Sequence, residues 1–335
     1  MKIEPKKMRI LAAAVAAVVI AAVLIAFAAP GSEGERDPYP EGGVTITTPV
    51  DYNGNSVSQT YYKIPERVVV GCNTALNLLL YLGLGDRIVG VYYMEEEVWG
   101  EVAGEYAKLA SRIGSGRILE SNISQAVLTD WEPDCIIAWV AFADGKLGSP
   151  SYWNALGCNV WALHTMTDDQ TLDGMARDYD GIGRVFGVKD KTDAYMAGFS
   201  DKVRSLQDSL SGGSKTVAVF DGCYISQDRY WFYGKTTFIG YLLDRLGADN
   251  AFRDGGSSIS PAAVYDAAGS IDIMFFVCYG SVTFDGTMGF WKSNETLSKA
   301  PAIAEGRVLP IKLSAAYGAD PSMMDVLDYL VETLK

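Results

Sequence analysis

Apolar positions in this chain come in short unbroken runs rather than in alternation. Arg67 to Gly71 (RVVVG) is β-branched, an apolar helical stretch follows, a Gly-rich stop closes it, and Ile88 to Val91 forms a second short run. Strands that are apolar on both faces are expected in a parallel sheet covered by helices. A weaker copy of the plan returns with a strand at Thr216 to Phe220, a helix over Thr237 to Leu246, and ADNAF after the stop. Glu120 to Trp139 and Ser257 to Cys278 form a second matching pair, each with an Ile-Ser phrase, a short helix, an Asp and an apolar strand. The pattern predicts an α/β protein of two similar lobes with parallel sheets and a ligand cleft between them.

Between the repeats, the pattern from Lys189 puts Met196, Phe199, Val203, Leu206 and Leu210 on one helical face, and Gly212-Gly213 stops it. Asp168 and Asp169 stand where a helix N-cap is wanted. A helix of about 22 residues would be some 33 Å long, enough to run along both lobes as a strut. At the other end, VTITTPVDYNGNSVSQTYYKIP alternates, turns at Asn53-Gly54 and alternates again, as a β-hairpin does. The boundaries are therefore 1–30 for a leader, 31–43 for a spacer, 44–167 for the N-terminal lobe, 168–213 for the bridge and 214–335 for the C-terminal lobe.

The leader has Lys2, Lys6, Lys7 and Arg9 ahead of an uninterrupted apolar run from Ile10 to Ala29. As a helix that run is about 30 Å long, enough to span a bilayer with its positive flank in the cytoplasm. It reads either as a retained transmembrane anchor or as a signal peptide cut after Ala26-Phe27-Ala28, and both export the rest of the chain. No Cys follows the run, which argues against a lipid anchor. GSEGERDPYPEGG (31–43) is acidic and rich in Gly and Pro, as a disordered spacer is.

Composition narrows the function. A formal charge of -13 argues against nucleic acid and against an anionic membrane surface as partners. His164 is the only histidine, which argues against a bare Zn or Mn site needing several imidazoles; a strand-end hydrogen bond is the expected role, and axial capping of a chelated metal the alternative. Cysteines 72, 135, 158, 223 and 278 have no CxxC spacing and read as small apolar residues, although 72, 223 and 278 fall at strand ends. Gly234-Lys235-Thr236 is no phosphate loop, because Arg229 stands where its first glycine belongs. Asn122 and Asn294 begin sequons.

In open α/β sheets ligands sit beyond the C-terminal ends of the strands. By that rule the first lobe offers Asn73, Tyr92, Tyr93, Trp139 and Phe142. The second offers Tyr224, Tyr230, Trp231, Tyr233, Tyr279, Trp291 and Tyr317. Trp139 and Tyr92 follow the clearest strands. So many aromatic planes suit a flat, bulky, partly apolar ligand. The alternation around Tyr230 and Phe232 predicts a hairpin strand, after which a helix starts with its N-terminus toward the cleft. Arg229 and Lys235 are the only cations near that mouth, which favours a ligand of low charge.

PERVVVGCNTALNLLLYLGLGDRIVGV, NISQAVLTDWEPDCIIAW, LGCNVWAL and APAIAEGRVLPI, in this order around a long central helix, resemble the cobalamin and iron-siderophore type of ABC-transporter substrate-binding protein over residues 44–335. The resemblance implies two Rossmann-like lobes joined by one rigid helix, a metal chelate (corrinoid, haem or ferric siderophore) as ligand, a permease partner, a monomer, and no cofactor or catalysis. It also implies that Trp139 faces the ligand. Glutamates that pair with the permease in such proteins are absent here, the matching positions being Ser124 and Ala262. That departure keeps open a tethered binding or sensing protein uncoupled from a permease. A chelatase or reductase on the same fold would need His164 or the cysteines to converge.

Overall fold

In the structure, a computed structural model, the unalternating runs become the central strands of two parallel sheets. It describes residues 39–50, 55–94, 96–121, 123–139, 147–209, 215–225, 229–252 and 258–334, with side chains for all but 209 and 223–225. Two units are separated, 1–40 and 41–335, and every element below belongs to the second. The apolar run Ile10–Ala29 and most of the spacer lie outside the described residues, none of whose helices is long and apolar enough to cross a membrane.

The predicted hairpin is present as β1 (Val44–Pro49) and β2 (Ser56–Tyr61), closed by a bond from Val50 N–H to the Asn55 carbonyl; the Asn53-Gly54 turn itself is not described. The first sheet follows with β3 (Val68–Gly71), helix α1 (Asn73–Tyr81) and β4 (Ile88–Val91). Helices α2 (Ala103–Ile113) and α3 (Gln125–Asp130) lead to β5 (Cys135–Ala138), and α4 (Pro150–Ala155) to β6 (Asn159–Ala162). The order is β4-β3-β5-β6, all parallel. The hairpin covers the β6 edge with side chains: buried Thr48 and Gln59 bond the backbone of Ala162 and Val160, satisfying groups that an open edge would expose.

The bridge is two helices, α5 (Leu172–Phe186) and α6 (Lys189–Ser209). Helix α6 has 21 residues and buries Phe199 and Val203 as the spacing predicts. The cap of α5 is Thr171, not the predicted Asp168 or Asp169: its hydroxyl accepts the N–H groups of Asp173 and Gly174. The two aspartates are used elsewhere, Asp168 on His164 and Asp169 on Arg177.

The second half repeats the first. Strands β7 (Thr216–Ile225), β8 (Tyr230–Phe232), β9 (Asp249–Asn250), β10 (Ser258–Ile259), β11 (Ile273–Val277) and β12 (Val308–Ile311) form one sheet. Its parallel core β9-β7-β11-β12 has the order of β4-β3-β5-β6, and the β8–β10 pair adds antiparallel to β7. Helices α7 (Phe238–Arg245), α8 (Pro261–Ala268), α9 (Phe284–Ser293), α10 (Pro301–Ala304), α11 (Leu313–Tyr317) and α12 (Met323–Leu334) complete the chain. Ser124 and Ser260 cap α3 and α8 in the same way, each hydroxyl accepting the amide three residues on. The structural counterpart of Ser124 is thus Ser260, two residues before Ala262.

Candidate functional site

The ends of β3, β4 and β5 and the turn after β12 converge on one small cavity. Cys72, Asn73 and Thr74 come from the β3–α1 turn, Tyr93 and Glu96 from the chain after β4, and Trp139 from the end of β5. Met166, and from the second half Leu313, Ser314 and Tyr317, close it. Its volume is about 30 Å³, room on the scale of one water molecule. A larger recess of about 390 Å³, lined by Tyr62, Lys63, Asp134 and Asn154 among others, opens at the opposite, N-terminal ends of the same strands. The small cavity is the candidate, because helix starts and loop side chains converge at strand C-termini.

Aromatic rings form a row across the two halves. Tyr93 and Trp139 lie 5.7 Å apart between centroids, Trp139 and Tyr317 6.2 Å, and Tyr317 and Tyr233 6.4 Å. The row ends on Asp221, a buried carboxylate in β7 whose Oδ2 accepts the Tyr233 hydroxyl at 2.9 Å and the Tyr279 hydroxyl at 3.3 Å. Burial, then Tyr317 and Asp221, push the Tyr233 phenol far above its ordinary value, so it stays a donor. Tyr93 has a φ of 58°, a left-handed backbone that costs a non-glycine residue energy and clusters at functional sites.

A polar seam ties the halves beside the rings. The Glu96 carboxylate accepts the N–H groups of Leu313 and Ser314, the second at 3.1 Å, while Asn73 Nδ2 donates to the Glu96 carbonyl at 2.8 Å. Asn77 Nδ2 donates to Asp320 at 2.6 Å, its Oδ1 accepts Trp99 N–H at 3.1 Å, and Trp99 Nε1 donates to Asp325 at 2.9 Å. Burial raises the Glu96 and Asp320 carboxyls above the usual range, and the bonds from Ser314 and Leu313 to the first, and from Asn77 and Ser322 to the second, act against it.

Of the predicted ligand-facing residues, Asn73, Tyr93, Trp139 and Tyr317 line the cavity, and Tyr233 and Tyr279 stand behind it on Asp221. Three belong to the cores instead: Tyr92 just after β4, Tyr230 within β8 and Trp291 within α9, each with its ring turned to the interior. Tyr92 is 1% exposed with its ring tip against Gly71 and its hydroxyl unpartnered, while Tyr230 and Trp291 sit at 2% and 0% in the second core, 5.5 Å from each other. Trp231 points to the outer face of β8, 41% exposed. Phe142 and the Tyr224 side chain lie outside the described residues. The N-terminus of α7 does not open on the cavity: Phe238 N–H is taken by Gln170 and Gly240 N–H by Thr237. Arg229, which donates to Ser258, and Lys235 are not among the lining residues.

Sequence reasoning passed over Glu96, Ser314, Met166 and Asp221. Glu96 sits in the run Glu95-Glu96-Glu97, which reads as a solvated face, and Asp221 inside a strand carries no signal of its partners.

Among the described residues no cluster of three or more His, Cys, Asp or Glu side chains could hold a metal ion. His164 is buried at the end of β6, its Nδ1 2.8 Å from Asp168 and its N–H on Asp178 at 2.8 Å. Cys72, Cys135, Cys158 and Cys278 are free thiols. Cys72 is at the cavity wall, and burial pushes its thiol up to about 12.

A family model described as "Periplasmic binding protein" matches residues 68–314. The uncharacterized ABC transporter substrate-binding lipoprotein YvrC of Bacillus subtilis is 22% identical over 241 residues, 71% of this chain and 72% of that protein. A periplasmic binding protein from Veillonella parvula superposes with a TM-score of 0.74 at 21% identity, covering 89% of this chain and 93% of that one. A protein of an ABC-type Fe3+-hydroxamate transport system from Saccharomonospora viridis gives 0.69 at 18% identity, over 87% and 98%. The petrobactin-binding protein YclQ of Bacillus subtilis gives 0.63 at 17% identity, over 87% and 99%. At these identities the superpositions speak to fold.

Proposed function

Because the chain belongs to the periplasmic binding protein family, in its cobalamin and iron-siderophore type, we propose that it is an extracytoplasmic receptor capturing a metal chelate of low negative charge for delivery to an ABC permease. Proteins of this family bind solutes and carry out no chemistry on them.

The observation that carries the reading is the aromatic row from Tyr93 through Trp139 and Tyr317 to Tyr233, contributed by both halves at their strand C-termini. Rings in that position give a large apolar ligand contact area at low entropy cost. The described cavity wall holds an acid and no Lys or Arg, which disfavours a polyanionic tris-catecholate and suits a neutral tris-hydroxamate or a corrinoid. The relative from Saccharomonospora viridis, named for Fe3+-hydroxamate transport, supports the first of these. A chelate far exceeds about 30 Å³, so it enters by parting the ring walls or occupies the mouth above them.

Tryptophan fluorescence of the purified chain, titrated with a ferric tris-hydroxamate, cyanocobalamin, haem and a ferric tris-catecholate, tests this. Saturable quenching by the hydroxamate or the corrinoid is expected; no response to any chelate sinks the proposal.

One observation favours a second reading, a tethered chelate-binding or sensing protein with no permease. The first turns of α3 and α8 carry no acid, so the paired charges that steer docking are missing on both halves. Chelate-dependent stimulation of ATP hydrolysis by a co-expressed transporter would rule that reading out.

A further inference from the structure

Glu96 is held in the cavity wall from both sides. Asn73 of the first half fixes its backbone carbonyl, and the amides of Leu313 and Ser314 of the second half fix its carboxylate. All four residues line the same cavity. A carboxylate placed beside aromatic rings is costly unless compensated, and two amide donors compensate this one while locking its direction. An ionised carboxylate offers about four acceptor sites. The two amides and the Ser314 hydroxyl use three of them, which leaves capacity for one further donor.

Among the described wall residues no cation neutralises it. Cys72, Tyr93 and Tyr317 are uncharged wall groups, no Lys or Arg is among the described lining residues, and the Asp320 carboxylate, whose charge acts on Glu96, is committed to Asn77 and the Ser322 amide. Among the described lining residues the wall therefore has one oriented carboxyl and no Lys or Arg opposite.

We propose that Glu96 is the specificity-determining residue of this cleft, selecting chelates that present a protonated amine over neutral chelates of the same shape and excluding polyanionic ones. The inference rests on reading the cleft as a chelate site. An ammonium on the ligand forms a charge-assisted hydrogen bond to Glu96 that an amide cannot match, worth about tenfold or more in affinity.

The test compares a linear ferric tris-hydroxamate bearing a free amine with its N-acetyl derivative, on wild type and on Glu96→Gln. Wild type should bind the amine form at least about tenfold more tightly, and Glu96→Gln should bind both alike, with the acetylated form near its wild-type affinity. Equal weakening of both ligands by Glu96→Gln would mean a structural role and overturn the inference. So would equal affinities in wild type, which decides the matter even if the variant fails to fold, and which leaves the chelate-binding function standing. Binding of no chelate overturns both.

Discussion

The indole of Trp139, at the end of a strand in the first sheet, lies 6.2 Å from the ring of Tyr317 in the second half, at 48°. This contact runs beside the polar seam of Glu96, Asn77 and Trp99 that also ties the two halves, and it puts the rings where a chelate would meet both halves at once.

Trp139→Ala should therefore weaken chelate binding by about tenfold to a hundredfold, since it removes a large half-buried ring that a chelate would cover. Trp139→Phe keeps a plane and should stay within about threefold. Fluorescence or calorimetric titration of the two variants measures this; equal losses would mean that the ring plane is not what binds.

Tyr317 depends on its neighbour. Gly318 has a φ of 87°, and a Cβ there would come 2.1 Å from Cγ of Phe238. Gly318→Ala should cost about 2–4 kcal/mol from strain and overpacking together, and should also reduce affinity by displacing Tyr317. Urea midpoints and chelate titration report the two effects separately.

Asp178 is fully buried and accepts bonds from His164 N–H and from both the N–H and the hydroxyl of Thr165. Burial still pushes its carboxyl up to about 6 from 3.8. The folded state thus holds this proton more tightly than the unfolded state. Its contribution favours folding below about pH 4 and is lost as pH rises through 6, some 3 kcal/mol in all. Asp178→Asn should be less stable but should remove that slope. Urea midpoints at half-unit steps from pH 4 to 7 compare the two; parallel curves would contradict the prediction.

Cys72 should be inert although it borders the cleft. With its thiol at about 12 against 9.0 for a free one, thiolate at pH 8 is scarcer by about a thousandfold. Peptide mapping after maleimide treatment should find Cys72 unlabelled in the native protein and labelled in urea. Rapid native labelling would mean that the cavity opens readily.

Much of this was legible without coordinates. The runs VVV at 68–70, CIIA at 135–138 and IMFFV at 273–277 were expected to be parallel strands buried on both faces, and all three are. The hairpin from Val44 and the helix from Lys189 were equally readable, because turn chemistry and helical spacing are local properties. The two-half repeat followed from the same patterns, and the strand order confirms it.

The site was legible only in part. "Aromatic after a strand" found Tyr93, Trp139 and Tyr317, yet it also took in Tyr92, Tyr230 and Trp291, which are core. Nothing local distinguishes Tyr92 from Tyr93: they are adjacent, and the left-handed turn at Tyr93 sends one ring inward and the other to the cleft. Glu96 and Asp221 were invisible for a related reason, since their partners are 217 and 12 positions away and a carboxylate's role depends on which donors meet it. The sequence by itself determined the elements and the duplication, both set by local backbone and burial preferences. Only the tertiary structure decided which rings face one another and which acid is held between the halves, because those depend on contacts between segments far apart in the chain.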